Sequence, residues 1–363
     1  MRQLAATIWF FYKIFAFLTV VIYLICSYTL SSHWALGFVM IGLPVIWIGH
    51  IGFLTAWIFA KSARAVLPLA VLLFAWPLYS RTYKFGSTTS TETPPSSFKL
   101  LNYNVYGFGR QANGDLVEHD EFIRTSVEWI ANTDASILCF QEYFSPEKKG
   151  RINLENFFYQ KGFKHYIYLD KGKASKSSIH QGGLVIFSKF PIVNRKDVFF
   201  EGQNGLLSAD LAIGNDTIRI INAHLYSMTL KLSLLAHQKQ YSGVKRETRG
   251  TLRQMQRGFI NRNTEVHLLE SWIAESPYPV VVCGDFNETP YSYVYGRLRK
   301  RLANAFEVKG SGFGFTYNSL PKFIRIDNQF FDDSNLALHD FTTHRNVRFS
   351  DHYPLTGTYS FKQ

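Results

Sequence analysis

Two uncharged stretches near the N-terminus constrain this chain more than any other feature. Residues 14–30 (IFAFLTVVIYLICSYTL) carry no charge, and residues 34–60 carry none apart from one that His50 could acquire. Each is long enough to cross the roughly 30 Å hydrocarbon core of a bilayer as a helix. A third apolar run, Ala65 to Tyr79, contains Pro68 and Pro77. At roughly 15 residues it reaches only about 22 Å, so flanking residues or local thinning must make up the rest of a span. A cleaved signal peptide does not fit, because further apolar runs follow the first. Arg2 and Lys13 precede the first run, Ser31–His33 lacks Lys and Arg, and Lys61 and Arg64 follow the second. The bias of positive residues towards the cytoplasm predicts a cytoplasmic N-terminus and, with three crossings, a C-terminal domain on the outer side. Arg81 and Lys84 pull against that orientation. His50 lies mid-span, where an interhelical hydrogen bond is the expected role.

Residues 86–97 (GSTTSTETPPSS) are polar and rich in Ser, Thr and Pro, a composition that builds no core. The expected organisation is an anchor of two to three helices over 1–80, a linker over 81–97 and one domain over 98–363. The anchor and linker together hold six basic residues and one acid, Glu92; the domain holds the other 33 basic and 26 acidic residues. Its surplus is concentrated between Thr229 and Thr264, where Lys231, Lys239, Lys245, Arg246, Arg249, Arg253, Arg257 and Arg262 are opposed only by Glu247. Such a window suits an anionic polymer or membrane surface, with a solvated helix face as the plain alternative. Lys245, Arg246, Arg249 and Arg253 are its candidate substrate-binding residues. Cys26, Cys139 and Cys283 have neither zinc-type spacing nor the makings of a disulfide framework.

From Phe98 onward, short apolar runs alternate with amphipathic ones, the pattern of an α/β domain packed in layers. Strands are expected at Phe98–Val105, Ser136–Phe140, Gly183–Phe187, Asp216–Ala223, Val280–Cys283, Ile324–Phe331, Asp340–Thr343 and Leu355–Ser360. Helices are expected at Phe122–Ala131 and over much of Arg249–Glu275. Polar residues follow or interrupt these strands: Asn104, Glu142, His224, Asp285, Asn287, Asp327, Asp351 and His352. One acid after a strand is usually a solvated end. Eight residues of types suited to hard metals and phosphate point to a site, because strand ends are where catalytic groups gather in layered α/β proteins. Phosphate-ester cleavage needs oxygen ligands for a divalent cation, a base near neutral pH and donors for the phosphate oxygens. This set contains all three.

The motifs resemble those of the endonuclease/exonuclease/phosphatase superfamily, in family order and across essentially all of 98–363. They are Leu-Asn-Tyr-Asn-Val at 101–105, Gln141-Glu142, GGLVIFSKFPI at 182–192, Asn222-Ala-His224-Leu, Gly-Asp-Phe-Asn at 284–287, Arg325-Ile-Asp327 and Ser350-Asp-His352. The resemblance implies a four-layer sandwich of two packed β-sheets flanked by helices. It also implies roles: Glu142 as main metal ligand, Asn104 supporting metal and phosphate, and Asp351 close to the metal. Asp285 and Asn287 would orient water and phosphate, His352 would be the general base oriented by Asp327, and His224 would donate to a phosphate oxygen or the leaving group. Mg²⁺ is the implied cofactor, with Mn²⁺ as an alternative. Tyr106 and His224 stand where abasic-site enzymes carry Asp and Tyr, which argues against DNA repair. Asn328-Gln329 departs from the commoner aromatic–aliphatic pair and is expected to reshape the pocket edge.

The sequence thus leads to a membrane-embedded phosphodiesterase acting on nucleic acid or a phospholipid headgroup, with no obligate protein partner. A multi-pass place in a bacterial inner membrane, with the domain periplasmic or extracellular, follows from the orientation. A phosphomonoesterase of the inositol phosphatase type and a catalytically dead membrane scaffold are the competing readings.

Overall fold

The computed structural model describes residues 2–86, 94–109, 120–144, 152–170, 181–227, 241–319 and 323–362. Linker residues 87–93 and the start of the basic window, with Lys231 and Lys239, lie outside the described residues.

The apolar N-terminal region forms α1 (Arg2–Tyr28), α2 (Trp34–Ile41), α3 (Leu43–Phe59), α4 (Val66–Phe74) and α5 (Trp76–Tyr79). By length and composition, α1 from Gln3 to Tyr28 can cross a bilayer by itself. The second run reaches that length only when α2 and α3 are taken together across a 47° bend. Pro44, which has no N–H to donate, opens α3 at that bend. The third run breaks at Ala75, and Pro77 opens α5. The three expected crossings are therefore one continuous helix, one bent pair and one short broken segment. His50 bridges helices as expected, sharing hydrogen bonds with Tyr12 Oη at 2.8 Å and Thr19 Oγ1 at 3.0 Å on α1.

Two arginines fix which end of α1 meets the rest of the chain. Arg64, between α3 and α4, donates to the carbonyl of Ala5 at 3.1 Å and packs over Trp9 and Trp57. Arg81, just after α5, donates to the carbonyl of Pro290 at 3.1 Å and lies beside that of Cys26. The C-terminal domain therefore docks at the end of α1 opposite the N-terminus.

That domain is built on two six-stranded sheets. The first has the order β13 (Leu336–Thr343), β14 (Leu355–Phe361), β2 (Phe98–Asn104), β3 (Ile137–Tyr143), β5 (Gln181–Ser188), β4 (His165–Asp170). The second has the order β10 (Ala303–Asn304), β12 (Asp327–Phe331), β9 (Val280–Asp285), β8 (Asp216–His224), β7 (Gly205–Ile213), β6 (Ile192–Phe199). β2 pairs parallel with β3, and β8 parallel with β9. A separate two-stranded pair joins β1 (Tyr83–Lys84), just after α5, to β11 (Gly312–Phe313).

Side chains alternate across each strand, so both faces of the sheets are used. Phe98 and Leu100 of β2 join Leu207, Ile220 and Val281 in the core between the sheets, while Leu101 and Tyr103 face outward. There they meet α6 (Asp120–Ala131) through Val127 and Ile130, and α7 (Leu154–Gln160) through Leu154 and Phe158. On the other flank, Val266, Leu269 and Trp272 of α8 (Tyr241–Ala274) and Val294 and Leu298 of α9 (Tyr293–Arg299) cover the second sheet. The result is the expected order of helix, sheet, sheet, helix.

A buried polar network crosses the interface between the sheets. Gln141 Nε2 donates to Asn102 Oδ1 at 2.9 Å and to Asn222 Oδ1 of the opposite sheet at 2.6 Å. Asn222 Nδ2 in turn donates to the carbonyls of Phe140 and Val185. Gln329 donates to the carbonyl of Leu355 and accepts from Tyr359 Oη, and Asn328 Oδ1 accepts from Arg325. The Asn328-Gln329 departure is thus taken up by sheet-to-sheet contacts and a buried Arg325 anchor.

Candidate active site

One row of the second sheet carries three of the predicted residues. His224 ends β8, Asp285 ends β9 and Asp327 begins β12, and the register sets His224 opposite Asp285 and Asp285 opposite Asp327. Neighbouring strands lie about 4.8 Å apart, so the three side chains form a short line at the sheet's end. Gly284 is what lets β8 and β9 close there. At φ +145° it occupies a conformation open to glycine, and a Cβ would lie 1.8 Å from the carbonyl oxygen of Ala223.

The first sheet brings Asn104, at the end of β2, against this row. Asn104 Nδ2 donates to Asp285 Oδ2 at 3.1 Å and to Glu142 Oε1 at 3.2 Å. Glu142 lies at φ +52°, where the pairing of β3 with β5 shifts between Gln141 and Tyr143. This bulge turns its carboxylate out of the sheet towards the site. Its side chain stays 21% exposed, whereas those of His224 and Asp285 are almost fully buried. Glu142 therefore sits at the rim and the other groups behind it.

His352 approaches from the loop before β14. Its Nδ1 lies 2.8 Å from Asp327 Oδ2, and its Nε2 faces Asp285 Oδ2 at 3.7 Å. Asp327 is itself positioned by Thr316, whose Oγ1 accepts from the backbone N–H groups of Ile326 and Asp327. Ser350 Oγ donates to the carbonyl of Asn104 at 2.8 Å, lies 3.2 Å from Asp351 Oδ1 and accepts from the backbone N–H of His352. Asp285 Oδ1 accepts from the backbone N–H of Asn287, whose side chain donates to the carbonyl of Leu225. All eight predicted site residues thus belong to one connected neighbourhood. The sequence reading missed Thr316, the positioning of the loop by Ser350, and Tyr317, whose ring centroid lies 5.0 Å from that of His352.

The electrostatics are dominated by carboxylates. Burial disfavours charge on the His352 imidazole, but Asp327, Asp285 and Asp351 more than offset it and push its pKa up to about 10. Burial raises Asp327 to about 6 against the pull of His352. Burial, Asp351 and Glu142 also push the Tyr106 phenol up. His224 is buried, yet neither ring nitrogen has a hydrogen-bond partner among the described residues; Nε2 lies 3.8 Å from Asp285 Oδ2 and 3.9 Å from Glu142 Oε1. A buried imidazole left unpaired is costly unless something else meets it, and a phosphate oxygen would.

Asp285, Asp327 and His352 offer ligand atoms within 4.8 Å of one another. Asp327 Oδ2 and His352 Nδ1 already satisfy each other, however. Glu142, at the rim, and the buried Asn104 amide behind it are the oxygen donors suited to a hard dication.

The basic window divides on inspection. Arg249 and Arg253 are exposed on α8, and the side chains of Lys245 and Arg246 lie outside the described residues. Arg257 pairs with Glu201 at the surface. Arg262 points inward, where Nε donates to Glu288 Oε1 at 2.7 Å and Nη1 to the carbonyl of Tyr226 at 2.8 Å. Its charge belongs to the core.

Two sheets whose ends meet in a carboxylate, imidazole and amide cluster define a phosphoesterase architecture. Residues 101–352 match the model of the Endonuclease/Exonuclease/phosphatase family, and the chain belongs to that family. Its members are phosphoesterase hydrolases, and its enzymes depend on divalent metals. Residues 5–82 match a second family described as a domain of unknown function (DUF8431). No curated protein matches the chain in sequence. Among solved structures, the human Nocturnin catalytic domain with bound sulfate is similar at TM-score 0.51 and 15% identity, over 75% of this chain and 97% of that one. Truncated Caenorhabditis elegans TDP2 is similar at TM-score 0.50 and 16% identity, over 73% of this chain and 98% of that one. These likenesses concern the fold.

Proposed function

We propose that this chain is a membrane-anchored phosphodiesterase that works with a divalent cation, Mg²⁺ or Mn²⁺. Residues 1–80 would form the anchor and 98–363 the catalytic domain. The observation that carries the reading is the in-register row His224–Asp285–Asp327 meeting Asn104 and Glu142 from the opposite sheet, with His352 across it. A cation held by Glu142 and Asn104, with Asp351 nearby, would offset charge on the phosphate oxygens. His224, whose ring nitrogens have no partner among the described residues, would receive one of those oxygens, with Asn104 and Asn287 assisting. Asp285 and His352 would flank the attacking water, with Asp327 holding the imidazole through Nδ1 so that Nε2 faces Asp285. In hydrolysis the water oxygen would bond to phosphorus, the P–O bond to one ester arm would break, and the water's proton would leave through Asp285 towards the departing oxygen, with the protonated His352 imidazole beside it.

The anchor's geometry supports an outward-facing domain. The α3–α4 turn with Lys61 and Arg64 lies at the N-terminal end of α1, and the domain at the other. In this reading Lys245, Arg246, Arg249 and Arg253 meet an anionic surface rather than the scissile phosphate.

The test is a substrate panel on the full chain in detergent with Mg²⁺: bis(4-nitrophenyl) phosphate, DNA, RNA, sphingomyelin and inositol phosphates. Hydrolysis of a diester by wild type but not by His352→Ala supports the proposal. Release of phosphate from monoesters alone would replace it with the phosphatase reading.

A further inference from the structure

We propose that an exposed aromatic ridge beside the active site seats in the interface of the bilayer that holds the N-terminal helices, and that the substrate is therefore a phosphodiester carried by a lipid. The inference rests on the phosphodiesterase reading above and narrows its substrate class.

The ridge starts on the anchor and ends at the site. Trp76 on α5 stacks on Phe85 with ring centroids 6.5 Å apart. Phe85 packs on Tyr83, and Tyr83 on Phe313 across the β1–β11 pair, each at 4.8 Å. Phe313 stacks on Phe315 at 5.0 Å, and Phe315 meets Phe323 at 5.5 Å. Residues 313–317 alternate: Gly314 and Thr316 are buried while Phe313, Phe315 and Tyr317 face the other way. Thr316 thus clamps Asp327 on the inner side, and Tyr317 lies against His352. From Phe313 to Tyr317 the extended chain advances about 13 Å.

These rings are not core. Trp76 is 62% exposed, Phe85 75% and Phe323 72%. A contiguous exposed aromatic surface marks an interaction site, and three observations choose its occupant. The ridge continues directly from the exposed Leu73 and Phe74 of α4, so any bilayer that covers those residues reaches Trp76 and Phe85 next. Aromatic residues are enriched where hydrocarbon gives way to headgroups. Basic groups flank the strip from the other face of the β1–β11 pair: Lys84, in register with Gly312, points away from Tyr83 and Phe85, and Arg345 lies beside Gly312 on that face. On the other side of the domain, Phe259 of α8 packs on Phe38 of α2 at 5.3 Å. The exposed Arg253 and Arg249 therefore lie only about 9 and 15 Å further along the helix axis. Basic groups at both places suit a surface of phosphate-bearing headgroups.

The experiment uses the full chain in phosphatidylcholine/phosphatidylglycerol vesicles. All three native cysteines are buried, so Phe323→Cys can carry a single environment-sensitive fluorophore. Doxyl-labelled lipids should quench it and iodide should not; a label quenched by iodide alone overturns the docking. In parallel, Phe85→Ser/Phe323→Ser is compared with wild type on phosphodiester lipids in the vesicles and on bis(4-nitrophenyl) phosphate. Its kcat/KM should fall about tenfold or more further on lipid than on the soluble ester, as expected when two large aromatic side chains lose an apolar seat. Equal effects on both substrates overturn the proposal. Ridge-dependent cleavage of single-stranded DNA with lipid untouched would assign the rings to base stacking instead. A lipid-quenched label with no ester hydrolysed at all sinks the phosphodiesterase reading while the docking surface stands.

Discussion

Arg262 and Glu288 form an ion pair 2.7 Å long with both side chains buried. Arg262 also holds the carbonyl of Tyr226, two residues after His224, and Glu288 directly follows Asn287. One guanidinium thus joins the two segments that leave β8 and β9 at the site. Removing one partner of such a pair leaves a buried charge uncompensated, at a cost of about 3–5 kcal/mol. Arg262→Met should lower the unfolding free energy by that order in denaturant titration. A loss within the range of surface substitutions would show that the pair is not what secures these segments.

His352→Ala and Asp285→Asn should each lower kcat by about 10²- to 10⁴-fold, the usual range for a lost proton-transfer group. Circular dichroism should remain that of the wild type. Near-normal turnover in either variant would remove that residue from the proposed chemistry.

Chelation should abolish activity and added Mg²⁺ restore it, because Glu142, the proposed main ligand, lies at the rim of the site. Glu142→Gln should raise the Mg²⁺ concentration needed for half-maximal rate. Full turnover after exhaustive EDTA treatment, with no metal by elemental analysis, would leave the Glu142 assignment without support.

Glu265 supplies a pH-dependent stability term away from the reacting groups. Burial raises its pKa from 4.5 to about 7, against the Tyr226 N–H and the Arg262 charge, which lower it. A carboxyl raised in the folded state is protonated there while already ionised in the unfolded chain. Its stabilising contribution is full below about pH 4.5 and declines as pH rises towards 7. Glu265→Gln keeps an acceptor for Tyr226 and cannot ionise. Its Tm should exceed that of the wild type at pH 8, with the gap closing at pH 5; a constant gap would rule out ionisation as its cause.

The site was more legible in the sequence than the sheets that carry it. Asn104, His224, Asp285 and Asp327 each interrupt an apolar run, a contrast that survives without coordinates. Glu142 could be located but not aimed, since its outward turn comes from a bulge against β5, a partner far away in sequence. β7 and β6 were not expected: in β7 the alternating Ser208 and Asp210 are buried along with their apolar neighbours, and β6 has no buried residue to mark a core face. Arg262 was counted with its basic neighbours because periodicity does not show which cation on a long helix finds a buried acid. The second apolar run looked continuous because composition does not register a 47° bend.

The pairing of Tyr83 and Lys84 with Phe313 and Gly312 changes what the Ser/Thr/Pro stretch can do. Before the chain enters that stretch it is already fastened to the domain, by Arg81 on Pro290, by Thr82 on Tyr291 and by the Arg325 guanidinium on the Arg81 carbonyl. The described chain is therefore secured to the domain on both sides of residues 87–93, by β1 before them and by β2 after. A protease that cuts there should leave two fragments that still co-purify. On the membrane-anchored reading proposed above, a single nick there would not release the domain, and its reach would stay with the bilayer that holds α1.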